Sequence, residues 1–251
     1  MTPVGTEQQL RSRIEELEAE LGRHVADEEE KEQQLQRYAA DLRETFMEER
    51  SRSEELRRSY MLTVRALASA VEARDAYTGR HAERVAAYGL ALGSAYGMPL
   101  SDEPQIEFGF LLHDVGKVAV PDAILFKPGP LTEAERVVMQ QHPVTGSEIV
   151  REIDFLGAAR DVIRSHHERW DGSGYPDGLA GEQIPVSARI FAVADTFDAL
   201  TTERPYRHAS SIADARAMLE QSSRSHFDPD VIVAFRTLAD DAIELIRTRI
   251  G

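Results

Sequence analysis

The stretch Phe108-Gly109-Phe110-Leu111-Leu112-His113-Asp114-Val115-Gly116-Lys117 decides how this chain is read. A run fit for a protein core leads straight into an imidazole and a carboxylate, and a lysine follows three positions on. The run reads as an apolar helix, because the segments around it are long, Ala-rich and amphipathic. Adjacent side chains on a helix diverge by about 100°. His113 and Asp114 can therefore face two metal ions, or the carboxylate can bridge two. Gly116 is expected to end the helix and turn Lys117 back toward the pair. One His-Asp pair is by itself more often structural than catalytic.

Further histidines lie on both sides: His81 before the pair, then His142 and the doublet His166-His167 after it, with Asp195 in an Ala- and Phe-rich helical stretch. Taken singly, His81 reads as a helix-surface residue, His166-His167 as a helix C-terminal cap and Asp195 as half of a buried salt bridge. Taken together, neutral imidazoles and carboxylates are the ligand set of hydrolytic metal centres. Asp198, about one turn after Asp195, reads as structural and bonded to a nearby arginine.

Cysteine is absent, which removes disulfides and thiolate metal sites and fits a reducing cytosol. No serine motif suggests an acyl-type nucleophile. A net charge of −15 argues against binding polymeric nucleic acid, which depends on neutralising phosphates. A small nucleotide remains compatible, since bound cations and a few local bases can invert the sign inside a pocket. No apolar run approaches membrane-spanning length, and no signal-peptide pattern opens the chain. The expectation is a soluble, cytoplasmic protein.

Two regions are expected. Residues 1–58 are rich in Glu, Arg, Gln and Leu, and Leu10, Ile14, Leu17 and Leu21 are spaced as a coiled-coil seam. The seam weakens at Asp27-Glu28-Glu29-Glu30 and partly resumes at Leu35, Leu42 and Phe46. This region is read as a dimerisation or signalling segment, because polar helices take most of their stability from packing. Residues 59–251 are read as an all-α domain with helices at 61–74, 79–96, 105–115, 136–141, 146–153, 157–166, 186–201, 211–221 and from 228 to the end. Thr132 with Glu135 forms a capping box. A short extended piece is expected at 118–120 and a long loop at 167–184.

The order His81, His113-Asp114, Asp195 resembles the HD superfamily of metal-dependent phosphohydrolases. The segment His166-His167-Glu168-Arg169-Trp170-Asp171-Gly172-Ser173-Gly174-Tyr175-Pro176 resembles its HD-GYP subgroup, which hydrolyses the bacterial messenger cyclic di-GMP. Asp75, Thr78-Gly79, Lys117, Lys127-Pro128-Gly129, His142-Pro143 and Arg204-Pro205-Tyr206-Arg207 also fall where the subgroup places its motifs. The resemblance runs over residues 66–227 and leaves out the N-terminal helix.

It implies an HD-type helical domain, preceded here by a long coiled-coil helix, with a cluster of iron or manganese ions. The implied ligands are His81, His113, Asp114 and Asp195 for one ion, with Asp114 bridging to a second held by His142, His166 and His167. Some members hold a third metal through a Glu four residues before the equivalent of His81. Tyr77 stands there, and a phenol is a poor ligand at neutral pH, so two ions are expected. Two ions roughly 3.5–4 Å apart can activate water and accept a phosphate oxygen. Lys117, Arg204 and Arg207 are then candidates for contacts with phosphate or guanine. Gly174-Tyr175-Pro176 would brace the pocket or offer a surface to a diguanylate cyclase, and a sensor or response-regulator partner is also implied. The implied reaction is cyclic di-GMP to linear pGpG, with GMP as a later product. The alternatives are a cyclic di-GMP receptor or adaptor with weak turnover and a hydrolase of another cyclic dinucleotide.

Overall fold

The protein is described by a computed structural model covering residues 4–74, 80–100, 103, 105–203 and 208–250, with side chains from residue 7 onward. Tyr77, Arg204 and Arg207 lie outside the described residues. The chain divides into two compact units, Met1–Ser59 and Tyr60–Gly251. Among the described residues every named element is helical: α1 (Val4–Glu72), α2 (His81–Tyr96), α3 (Gln105–Leu112), α4 (Asp122–Leu125), α5 (Glu133–Met139), α6 (His142–Ile149), α7 (Gly157–Ser165), α8 (Val186–Thr201), α9 (Ile212–Gln221), α10 (Pro229–Arg236) and α11 (Asp240–Ile250). None is long and apolar enough to cross a membrane.

In the first unit, α1 is exposed throughout its described residues, including Leu10, Leu17 and Leu42. Its local order comes from i, i+3 and i, i+4 ion pairs such as Arg11–Glu7 and Arg13–Glu16, each of small weight in water.

The second unit has one core. Its centre is Val85, Phe110, Val162, Ile163, Phe191 and Phe197, all buried. α2 packs against α8 and α3, α3 against α7, and α6 against α7 and a 3-10 turn at Val115–Ala119. α2, α7 and α8 each turn one face inward, α3 is buried nearly all round, and the ends of α2, α3 and α7 meet beside the middle of α8. The last turns of α1 belong here too: Val64 and Ala68 are core residues, and Tyr60 stacks on Phe155 at 4.2 Å.

Several local expectations need correction. The piece at 118–120 is not extended over its length. Val115–Ala119 is a 3-10 turn closed by Lys117 N donating to Asp114 O, and only Val120 leaves in a β conformation. Among the described residues the β-branched valines there have no strand to pair with, and a local turn satisfies the backbone instead. Gly116 ends nothing by a left-handed turn. A Cβ there would lie 1.9 Å from the His142 carbonyl oxygen, so this glycine lets α6 approach the turn.

α6 starts at His142 rather than at 146, with Pro143 in the first turn, where its missing N–H costs nothing. The segment after 228 breaks into α10 and α11. Arg216 donates to the carbonyls of Phe235 and Leu238 and to Asp240, which satisfies the open end of α10. The Thr132–Glu135 capping box forms as expected, and Lys127 is bound to the same Glu135.

Candidate metal centre

His113 follows the last turn of α3, His142 opens α6, and His166 and His167 follow α7. His81 opens α2 and Asp195 sits in α8. Because α3, α6 and α7 pack together and α2 crosses α8, these ends converge. His81, Asp114, Lys117, His167, Tyr175 and Asp195 face one cavity of about 680 Å³. The donor atoms of His142, His166 and His167 lie within 4.8 Å of one another.

Asp114 stands between two groups. Its Oδ1 is 3.3 Å from Nε2 of His142, while its Oδ2 is 3.2 Å from Nε2 of His113 and 2.7 Å from Nζ of Lys117. Burial, the largest influence, favours the neutral acid. The neighbouring His113, Lys117 and His142 outweigh it and hold the carboxyl well below its ordinary range. On the far side of His113, His81 sets Nε2 3.3 Å from Asp195 Oδ1 and Nδ1 2.7 Å from Asp198 Oδ2. Burial works against charge on this ring, but the two carboxylates outweigh it and raise His81 to about 10.

The ring nitrogens test whether a cation suits the site. His113, His142 and His166 each place Nδ1 2.8–2.9 Å from the carbonyl three residues earlier, of Phe110, Met139 and Ile163. An Nδ1–H donated there leaves Nε2 as a bare lone pair in the neutral ring. Nε2 of His142 and Nε2 of His166 then face each other at 3.2 Å, two acceptors with no proton between them. A proton is a poor remedy. Burial, reinforced by the neighbouring imidazoles, pushes His166 well below its usual value and His167 down to about 3. A metal ion fits, since these orphaned lone pairs converge beside a carboxylate held in its charged form.

The loop after α7 holds the doublet in place. Glu168 is buried and accepts from the backbone N–H groups of Asp177 (2.7 Å) and Leu179 (3.1 Å). A Cβ on Gly174 would come within 2.4–2.6 Å of the backbone at residues 167–169, so only glycine permits this fold-back. Tyr175 N donates to the His167 carbonyl, and its ring stacks on the His167 ring with centroids 4.7 Å apart and planes inclined by 23°. Arg164 ties Asp177 to α7 with two hydrogen bonds of 2.7 and 2.8 Å.

Asp198 is bonded to an arginine, Arg84, as its sequence position suggests, and also to His81. Arg84, Glu168 and Glu72, which accepts from Ala82 N at the start of α2, were not evident as site residues. One signal existed: Arg84 and Asp198 each stand one helical turn after a candidate ligand. The other two depend on loop closure that periodicity does not encode.

Comparison with known proteins agrees with this geometry. The chain is 44% identical over 168 residues to a 3'3'-cGAMP-specific phosphodiesterase 2 of Vibrio cholerae, covering 66% of this chain and 32% of that protein. It is 43% identical over 174 residues to the cyclic di-GMP phosphodiesterase response regulator RpfG of Xanthomonas campestris, covering 68% and 46%. The chain thus spans a third to a half of the length of these relatives. Among solved structures, a cyclic GMP-AMP specific phosphodiesterase of Vibrio cholerae matches with a TM-score of 0.54 at 21% identity, over 74% of this chain and 52% of that one, which supports the shared fold. With its helices, its His-Asp cluster and a match of residues 65–231 to the HD domain family model, this chain belongs to the HD domain family, in its HD-GYP group.

Proposed function

We propose that this domain is a metal-dependent phosphodiesterase of cyclic dinucleotides that opens cyclic di-GMP to linear pGpG. The observation that carries the reading is the Nε2–Nε2 approach of His142 and His166 beside the charged Asp114. His81, His113, Asp114 and Asp195 would hold one ion; Asp114, His142, His166 and His167 would hold a second. Iron or manganese suits such a set of imidazoles and carboxylates. Bound there, the ions would supply Lewis acidity and a more acidic water next to a phosphoryl group.

The chain's own residues do the rest. The main-chain carbonyls under His113, His142 and His166 fix the rings with Nε2 inward. Lys117, held 2.7 Å from Asp114, carries positive charge to the cavity and can meet a phosphate oxygen. Tyr175 is kept protonated by burial, so its hydroxyl remains a donor. Val71, Leu125 and Met139 give the cavity an apolar wall suited to a base. Residues 1–58 pair two copies of the chain through the exposed seam, leaving the chemistry to residues 59–251.

A second reading has its own support: one relative at 44% identity is named for 3'3'-cGAMP. The test is a side-by-side assay. The purified protein, loaded with manganese or ferrous iron, is given cyclic di-GMP and 3'3'-cGAMP in parallel, and products are followed by chromatography. Early accumulation of pGpG, with faster turnover of cyclic di-GMP, is expected. A preference for 3'3'-cGAMP moves the assignment to the second reading. Tight binding of both without hydrolysis would make the domain a receptor.

A further inference from the structure

The histidines of the cluster are not anchored alike. His113, His142 and His166 rest Nδ1 on carbonyls of their own chain segment, three residues back. His81 instead sets Nδ1 against a side chain 117 positions away, at 2.7 Å from Oδ2 of Asp198. Asp198 is buried at 1% exposure, and both its oxygens are engaged. Arg84 reaches Oδ1 at 2.7 Å and Oδ2 at 3.1 Å, and the Thr202 hydroxyl reaches Oδ1 at 3.3 Å. Arg84 follows His81 by one turn of α2, and Asp198 follows Asp195 by one turn of α8. Where these helices cross, the outer turns clamp each other and the inner turns face the cavity.

A carboxylate is a stronger acceptor than an amide carbonyl. A carboxylate on one imidazole nitrogen fixes the tautomer and raises the donor strength of the other. Here the other nitrogen is Nε2, which faces Asp195.

We propose that Asp198, clamped by Arg84, is a positioning residue that sets the tautomer and donor strength of His81, and so tunes the affinity of the His81–Asp195 metal position alone. The inference rests on the two-ion reading above. The position formed by His142, His166 and His167 draws its order from the backbone and from the loop around Glu168. The two positions therefore respond separately to changes on the α2–α8 side.

Loss of an outer partner of this kind lowers metal affinity by about 10–100-fold. The full chain, stripped of metal, is titrated with manganese by calorimetry. Wild type is expected to take two ions. Asp198→Asn should weaken one site by that factor and leave the other unchanged, and Arg84→Lys should weaken the same site by less. Fewer than two ions in wild type overturns the two-ion reading and this inference with it. Two ions in wild type, with both sites of Asp198→Asn unchanged or equally weakened, overturns the inference alone.

If the variants do not fold, the wild type still decides. In the zinc-loaded chain, nitrogen-15 NMR should show His81 with a protonated, hydrogen-bonded Nδ1 and metal on Nε2. Metal on Nδ1 of His81 overturns the inference.

Discussion

The N-terminal unit and the globular unit use their leucines in opposite ways. In the first, Leu10 and Leu21 are each 64% exposed, although both sit on a well-spaced seam. In the second, Leu92, Leu112 and Leu219 are within 2% of complete burial. One region therefore stabilises itself and the other gains almost nothing from folding alone. The histidine cluster lies wholly in the self-stabilised region. That placement has a reason. Two lone pairs held 3.2 Å apart need a close-packed frame, whereas an assembly surface needs only an exposed apolar stripe and a partner. A division of labour, with assembly in the first unit and chemistry in the second, is what the following mutations test.

The largest expected effect comes from Asp114→Ala. It removes the carboxylate that faces both His113 and His142. Metal content and hydrolysis should both fall to background, while the oligomeric state stays as it was. Elemental analysis, a turnover assay and light scattering on one preparation check all three. Full metal occupancy with unchanged turnover would rule out the assignment of this residue.

Deleting residues 1–55 is the converse experiment. The described residues that pack on the globular core begin at Tyr60, so the globular fold and turnover per site should survive. Light scattering should show a dimer becoming a monomer. A monomer before and after deletion would dismiss the coiled-coil pairing, and a large loss of turnover would break the division of labour itself.

Gly116→Ala should show how far packing and chemistry are joined inside the globular unit. Its new methyl would meet the His142 carbonyl at 1.9 Å and the Gly146 nitrogen at 2.6 Å, both of them backbone atoms with little freedom to yield. Overpacking of this kind costs about 1–3 kcal/mol or more. A domain of this size loses roughly 2–4 °C of Tm per kcal/mol. The displaced backbone carries His142, so metal affinity should fall together with Tm. A lower Tm with unchanged metal affinity would separate the two.

What could be read from the chain follows the same line. Helices α8 and α9 and the capping box at Thr132 were legible because period and cap chemistry are local. The residue types and order of the donors were legible too, and the structure brings His81, His113, Asp114, His142, His166, His167 and Asp195 to one cavity. Gly116 was read as a helix stop, because a close approach by α6 cannot be seen from its neighbours. The start of α6, the break before α11 held by Arg216, and the clip made by Glu168 were hidden for the same reason. Each depends on a partner distant in sequence or on how a loop closes. The pairing of His81 with Asp198, 117 positions apart, is the extreme case.

The smallest effect is expected in the pH dependence of the metal-stripped protein, and it belongs to the globular unit. Against an ordinary value of 6.5, His81 is raised to about 10 in the fold, because its bonds to Asp195 and Asp198 outweigh the burial that opposes its charge. Between those values the folded state holds a proton that the unfolded chain has released, so stability falls as pH rises from 6.5 toward 10. His167 behaves oppositely. Burial, with His142 beside it, lowers it to about 3, so the unfolded chain binds a proton that the folded state refuses between 3 and 6.5. Stability on that side falls as pH drops. The two groups together place the optimum of the stripped protein near neutrality, with a decline on both flanks. Bound metal competes with protons for the same nitrogens, so loading should flatten the basic flank by taking the place of the His81 proton. Thermal melts of stripped and loaded protein from pH 5 to 9 measure this, and the chain lacking residues 1–55 should give the same profile. A basic flank that is equally steep with and without metal would show that His81 is not where the metal binds.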